Sequence, residues 1–304
     1  MNTNSQNKNF YVSLRELHKL IGAMLEAQND SPETQNDLPP TSPETTDPSI
    51  AFTMQLSDVK GKITDMMWKM VEVIGKSGAS RYMEIEAPIK EQTPGFNKNK
   101  LRKAAELLVS MNVLHIECIS TPLTSKCQLY SLTELGEQVF WYQFKEKPVQ
   151  SEMSRVKREH HTLEHGYAIL DLQKVLMNSG KFKEVCAFNR NNQKNAGAEH
   201  NYIPDLLCVS EDGKEEYFEY ERGKMPTADF CWKCNKMRKT TSCLNFIARN
   251  KYVLENHLIP QLEDWISQCA SDGPTDTVIR LTTAIELHRK NADDAWITFY
   301  NSKK

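Results

Sequence analysis

The chain has 304 residues, which is enough for about two domains of ordinary size. Its 38 lysines and arginines against 40 aspartates and glutamates give a net charge of −2, which excludes nucleic-acid binding through bulk positive charge and leaves only local basic patches. Hydrophobic residues make up 39%, slightly few for a compact globule, so part of the length is expected to lie outside any core.

Targeting and redox signals indicate a cytoplasmic protein. The sequence has no run of about 18 apolar residues that would span a membrane, and its polar start lacks the apolar centre of a signal peptide. Its eight cysteines are too dilute for a disulfide scaffold and are typical of a reducing compartment. We therefore expect no membrane insertion.

The N-terminal region is predicted to contain a helix and a linker. Apolar residues from Phe10 to Met24 recur at spacings of three and four, which predicts an amphipathic helix within residues 1–28. Residues 10–28 would either pack on the rest of the chain or mediate self-association. Residues 29–55 are expected to form a disordered linker, because they are rich in proline and acidic residues.

Residues 56–147 show the order helix, helix, hairpin, helix. The first helix has apolar residues at helical spacing from Ile63 to Ile74 and is expected to break at Gly75 and Gly78. The motifs NKNKLRKAAELLVSMNVLHIE and QLYSLTELGEQV resemble the winged helix-turn-helix module of bacterial DNA-binding proteins.

That resemblance implies that the second helix enters the major groove of duplex DNA while the hairpin lies on the phosphate backbone. The first turn of this helix is basic and contains no acid. The residues expected to contact DNA are Lys98, Asn99, Lys100, Arg102, Lys103 and Lys126. Two alternatives remain open, an ordinary solvated helix face and a protein-docking module.

The segment 202–224 predicts a β-hairpin around the turn Asp212-Gly213. Asp205 begins one strand, and Glu219 and Glu221 point to one face of the other because they are two residues apart. Three converging carboxylates repel one another unless a cation neutralises them, and such oxygen ligands suit Mg²⁺ or Mn²⁺. The alternative is a solvated acidic face beside a turn.

Pro204-Asp205, fourteen residues before Glu219, resembles the signature of the restriction-endonuclease-like, or PD-(D/E)XK, nucleases. The resemblance implies an α/β domain with a mixed sheet over residues 148–304. Glu221 stands where these nucleases usually carry lysine, so the catalytic lysine would come from elsewhere. The candidate lysines are Lys224, Lys233 and Lys236, and Glu164, on a long helix expected over 151–179, would add a metal ligand.

The run Glu219-Tyr220-Glu221-Arg222-Gly223, followed by a lysine on the next helix, also resembles the replication-relaxation and mobilisation-C (MOBC-type) relaxase families. Here the lysine position best matches Lys233. The resemblance implies an α+β protein in which a winged helix precedes the nuclease-like domain. It further implies a metal-dependent DNA nickase of plasmid mobilisation or conjugative transfer, with double-stranded DNA and relaxosome or replication proteins as partners. The alternatives are a non-catalytic regulator of a mobile element and a restriction- or transposase-type endonuclease.

Other residue clusters favour simpler interpretations. His160, His161 and His165 lack the strand pattern of a three-histidine metal site, and Cys231, Cys234 and Cys243 lack a fourth zinc ligand, which favours packing. The basic residues between 233 and 251 predict a stripe that binds the DNA backbone. Strands are further expected over 244–248, 277–287 and 295–300, with a helix over 252–268.

Overall fold

The structure is a computed structural model, and it describes residues 58–160, 162–188, 202–269, 276–290 and 294–301. The predicted N-terminal helix, the linker 29–55 and His161 lie outside the described residues. All described residues belong to one compact unit. No helix within them is long and apolar enough to cross a membrane.

Three helices precede the hairpin, one more than predicted: α1 (Asp65–Ser77), α2 (Tyr82–Glu91) and α3 (Lys98–Ser110). Helix α2 was not predicted, and α3 is the predicted second helix. Asn97 starts α3, because its side-chain oxygen accepts hydrogen bonds from the backbone amides of Asn99 and Lys100. The inner faces of the three helices share one hydrophobic core with the elements that follow. Burial of these apolar faces leaves the basic first turn of α3 on the outside.

The prediction that Gly75 breaks the first helix is wrong. Helix α1 continues to Ser77 and ends at Gly78, whose φ of +70° is the left-handed conformation that favours glycine. A Cβ atom at Gly75 would lie 2.2 Å from the ring of Phe140. Gly75 therefore permits close packing of a distant aromatic ring against the helix, and it makes no turn.

Strands β1 (Leu114–Ile119) and β2 (Cys127–Leu132) form the predicted antiparallel hairpin, which precedes α4 (Glu134–Phe144). Arg81 makes an additional β-bridge with Leu129 of β2. The hairpin is thereby tied to the connection between α1 and α2.

Two helices follow where one was expected over 151–179: α5 (Glu152–Glu159) and α6 (Leu163–Asn178). His160 is extended. The Thr162 side chain accepts a hydrogen bond from the backbone amide of His165, so Thr162 is the residue that caps the start of α6. A threonine with this hydrogen bond caps a helix, so the chain changes direction there.

The second half of the chain builds a six-stranded sheet in the order β3-β4-β5-β6-β7-β8. Strands β5, β6 and β7 run parallel and the outer pairs are antiparallel, which confirms the predicted mixed sheet and α+β class. The strands are β3 (Phe182–Ala187), β4 (Leu206–Ser210), β5 (Glu215–Glu221), β6 (Cys243–Ala248), β7 (Val278–Thr283) and β8 (Ile297–Asn301).

Helices cover both faces of this sheet. Helix α6 packs on the face that carries Phe218, and α7 (Thr227–Thr240), which connects β5 to β6, packs on the face that carries Phe246. The expected helix after β6 consists of α8 (Lys251–Val253), a π-helical turn (Leu254–Leu258) and α9 (Ile259–Gln268).

The predicted strand over 277–287 is too long. Strand β7 ends at Thr283, whose side chain accepts the amide hydrogen of Glu286 and starts α10 (Ala284–Arg289). The apolar residues Ala284 and Leu287 are buried on one side of this short helix, and their spacing of three is helical.

Candidate functional site

The predicted site carboxylates, Asp205, Glu219 and Glu221, lie at one edge of the sheet. Asp205 immediately precedes β4, while Glu219 and Glu221 are near the end of β5. Because β4 and β5 are antiparallel, the start of one strand meets the end of the other. Strand β6 also ends here, and the Arg249 amide donates a hydrogen bond to the Glu221 carbonyl oxygen at 2.8 Å. Such carboxyl-end edges are where open α/β sheets bind ligands.

Lys233 of α7 joins two of the site carboxylates. Its ammonium donates hydrogen bonds to a carboxylate oxygen of Glu219 and, at 2.6 Å, to Oε1 of Glu221. The two glutamates are only 3% and 6% exposed. Burial alone would lower the pKa of Lys233, but Glu219, Glu221 and Asp205 raise it well above its usual value. Lys233 is therefore a cation held in place by buried carboxylates.

Asp205 is held ionised beside this cluster. Its Oδ2 atom accepts the Tyr220 backbone amide hydrogen at 2.9 Å and lies 3.6 Å from Nε2 of His165 on α6. Burial opposes ionisation of this carboxyl, but His165, Lys233 and the Tyr220 amide together hold the pKa of Asp205 well below its usual range.

The pKa of Glu219 is shifted in the opposite direction, upward. Burial raises its pKa to about 8, the negative charge of Asp205 adds to this effect, and Lys233 opposes it. The hydroxyl of the buried Tyr202 donates a hydrogen bond to Oε1 of Glu219. Two carboxyls of one cluster thus differ in how readily they bind a proton.

Carboxylate oxygens lie together at this site, but the Lys233 ammonium already lies among them. In the part of the chain that the structure describes, no group of three or more His, Cys, Asp or Glu side chains is spaced to hold a metal ion. Carboxylate oxygens are nevertheless the preferred ligands of Mg²⁺ and Mn²⁺. A divalent ion would compete with the Lys233 ammonium for Glu219 and Glu221.

The other predicted lysines and Glu164 have different surroundings. Lys224 is exposed on the connection after β5. The ammonium of Lys236 lies 3.8 Å from the ring centroid of Trp232. Glu164 is partly exposed and pairs with Arg222 at 3.8 Å. Of the three candidate lysines, the structure therefore brings Lys233 to the carboxylates.

Sequence reasoning missed two side chains of this site. His165 carried a signal, because it belongs to a histidine cluster at a helix start, yet its partner Asp205 is 40 positions away in the printed sequence. No pattern in the sequence indicated a role for Tyr202, because an aromatic residue before a strand normally indicates packing. Cys231 and Cys234 are buried in the hydrophobic core, which confirms the packing interpretation.

The residues predicted to contact DNA occupy two surfaces. Asn99, Lys100, Arg102 and Lys103 are exposed on α3, and Lys98 pairs with Glu86 at 3.0 Å. Lys126 is exposed on the loop between β1 and β2.

The rest of that loop faces the second half of the chain. The Thr121 hydroxyl donates to Asp171 of α6 at 2.8 Å, and Leu123 packs against the core between α6 and the sheet. Protein contacts therefore fix the hairpin loop, while the basic turn of α3 remains exposed except that Lys98 is paired with Glu86.

Comparison with known proteins identifies no relative: no protein-family model, curated protein or solved structure matches the chain. Any functional assignment must therefore be argued from the motifs and from the geometry of the site.

Proposed function

We propose that this protein is a DNA-binding, relaxase-type nickase that hydrolyses a phosphodiester bond with the help of Mg²⁺ or Mn²⁺. The observation that supports this most is the Lys233 ammonium, bonded to Glu219 and Glu221 beside Asp205 at the carboxyl edge of the parallel strands. Oxygen ligands together with a lysine are the groups that phosphodiester hydrolysis requires.

The order of elements supports the same proposal. The second half of the chain contains, in order, helix α6, the antiparallel strands β3 to β5, helix α7 and the parallel strand β6. The Pro-Asp and acid-x-acid motifs lie on the β4-β5 hairpin, as the nuclease resemblance implies. Helices α1 to α3 and the β1-β2 hairpin match the element order of a winged helix. The exposed basic turn of α3 provides the positive patch that duplex DNA requires.

Each side chain of the site has a role in the proposed reaction. Asp205, Glu219 and Glu221 would hold the ion, which supplies an activated water and neutralises charge on the phosphate. The Lys233 ammonium stabilises negative charge that develops on the phosphate oxygens. Tyr202 orients Glu219 through its hydroxyl, and His165 keeps Asp205 ionised.

A plasmid-nicking assay tests this function. The substrate is a supercoiled plasmid that carries the DNA flanking the protein's own coding sequence. We expect conversion to open circles with Mg²⁺ or Mn²⁺ but not with EDTA, and loss of conversion in Glu219→Ala and Asp205→Asn while duplex affinity stays nearly intact. Glu211→Ala, an exposed acid on the same hairpin, is the matched control.

The second candidate function is a non-catalytic regulator of a mobile element. The observation that favours it is that the Lys233 ammonium pairs with both glutamates and so occupies the place where a metal ion would bind. If the wild-type protein binds the plasmid DNA but never nicks it in either metal, while a known nuclease does, the regulator replaces the nickase.

A further inference from the structure

Helix α7, which supplies Lys233 to the candidate site, also presents a tryptophan to solvent. Trp232 is 61% exposed, whereas the other four tryptophans, all described, are buried or half-buried. The next residue is Lys233, whose ammonium is bonded to Glu219 and Glu221. A single exposed aromatic residue is common on protein surfaces, so a binding role requires a second feature on the same face of the helix.

Trp232 stands at the start of a basic stripe. Lys236 and Lys239 follow it at positions i+4 and i+7, so the three side chains lie along one face of α7. The Lys236 ammonium lies 3.8 Å from the ring centroid of Trp232, and Lys239 is exposed. Within the described residues, neither lysine forms an ion pair with a carboxylate, so their charges are available to a ligand.

We propose that Trp232 is a stacking platform for an unpaired nucleobase of single-stranded DNA, and that Lys236 and Lys239 contact its phosphates. Proteins that bind single strands combine aromatic side chains, on which bases stack, with a positively charged path for the backbone. The arrangement along the helix fits this requirement, because the aromatic ring is followed by two cations on the same face.

The exposed ring favours a single strand over a duplex. In a duplex, each base is already stacked between its neighbours and paired across the helix, so it offers no free face to an indole. A strand whose bases are unstacked offers one. Trp232 and Lys233 are consecutive on α7 and project about 100° apart around the helix axis. The Trp232 ring faces solvent while the Lys233 ammonium faces Glu219 and Glu221, so a strand stacked on the ring would run along the outer face of the helix. This binding does not depend on the proposed nickase function.

Binding in EDTA tests the platform separately from catalysis. The probes are fluorescein-labelled oligodeoxythymidylate, an abasic oligonucleotide of equal length and a blunt duplex, each titrated with the full chain. We expect Trp232→Ala to weaken oligodeoxythymidylate binding at least about fivefold, with Trp232→Phe and all duplex affinities within about twofold of wild type. The abasic probe should bind wild type and Trp232→Ala equally.

Tyr142→Ala is the matched control. Tyr142 is likewise an exposed aromatic residue, 41% exposed, with the Lys60 ammonium 3.3 Å from its ring centroid, but it lies on α4 and not on α7. It should leave every affinity unchanged. The proposal is overturned if the wild-type protein does not bind the single strand. It is also overturned if Trp232→Ala weakens duplex binding as much as single-strand binding, or changes neither affinity. A change in self-association of Trp232→Ala, measured by sedimentation, would overturn it as well. If the protein does not nick the plasmid but Trp232→Ala still weakens single-strand binding as expected, the single-strand site is supported and the nickase function is rejected.

Discussion

At the scale of single residues, Lys233 is the feature on which the site depends. Its ammonium lies among Glu219, Glu221 and Asp205, where hydrolysis would require a divalent cation. Removing one partner of a buried ion pair leaves the other charges uncompensated, which costs about 3–5 kcal/mol. The same lysine is therefore both a stabilising counter-ion and a competitor of any metal.

Lys233→Met separates these two roles. In EDTA, at a pH above the Glu219 pKa of about 8, we expect the variant to unfold at a lower temperature than wild type, because Glu219 and Glu221 are then both charged and repel each other without the ammonium. Added Mg²⁺ should raise the melting temperature of the variant more than that of wild type, since no ammonium competes for the carboxylates. Thermal melts with and without Mg²⁺ measure this, and Lys236→Met is the control. An equal Mg²⁺ effect in both proteins would contradict metal binding at this cluster.

A second residue-scale prediction concerns pH. Burial raises the pKa of Glu219 from 4.5 to about 8 in the folded protein, so the folded state holds a proton that the unfolded chain has lost. This contribution to stability is complete below about pH 4.5 and is lost as pH rises through about 8.

Glu219→Gln removes that contribution, because glutamine does not titrate. Urea unfolding across this pH range should show that stability falls less steeply with rising pH in the variant than in wild type, while the exposed-site control Glu211→Gln keeps the wild-type slope. Identical slopes for all three proteins would contradict the raised pKa.

At the scale of elements, α3 and the β1-β2 hairpin have different freedom to contact DNA. The basic turn of α3 is exposed, whereas Thr121 and Leu123 of the hairpin loop contact the second half of the chain. The exposed residues of α3 would therefore need no rearrangement to contact DNA. A large contribution from the hairpin would have to come from its exposed residue Lys126.

The double variant Lys100→Ala/Arg102→Ala tests the role of α3. Each phosphate contact releases condensed counterions, so the variant should bind duplex DNA more weakly, and the slope of log affinity against log salt should fall by about 2. Affinity measured at several salt concentrations gives both quantities. Lys183→Ala/Lys214→Ala removes the same charge from other exposed positions and is the control. Equal slopes for the two variants would assign α3 to another role.

The sequence predicts these elements well where the pattern is local. Spacing by two placed Glu219 and Glu221 on one face, and Asp212-Gly213 placed the hairpin turn. The sequence did not predict local structure that involves contacts between residues far apart in the chain. Gly75 lies inside α1, where a Cβ atom would meet the ring of Phe140, 65 positions later, and no local pattern contains that contact.

At the scale of the whole molecule, a buried network joins the N-terminal helices and hairpin to α6. Asp171 accepts hydrogen bonds from the Arg81 guanidinium and from the Thr121 hydroxyl, and only 7% of it is exposed. Around this network, Leu129 of β2 and Tyr167 of α6 share a hydrophobic cluster. Because apolar and ionic contacts cross the same boundary, we infer that the two halves stabilise each other.

Asp171→Ala tests this coupling. The variant leaves the Arg81 charge in a largely buried position without its main partner, so the free energy of unfolding should fall by about 3 kcal/mol. Thr121→Val removes a neutral donor to the same carboxylate and the acceptor of the Thr124 amide hydrogen, and its cost should be about 1–2 kcal/mol. Urea unfolding of both variants measures the difference, and Glu263→Ala, an exposed acid on α9, is the control. If Asp171→Ala costs no more than the control, the ion pair contributes nothing to the coupling, and the apolar cluster alone holds the two halves together.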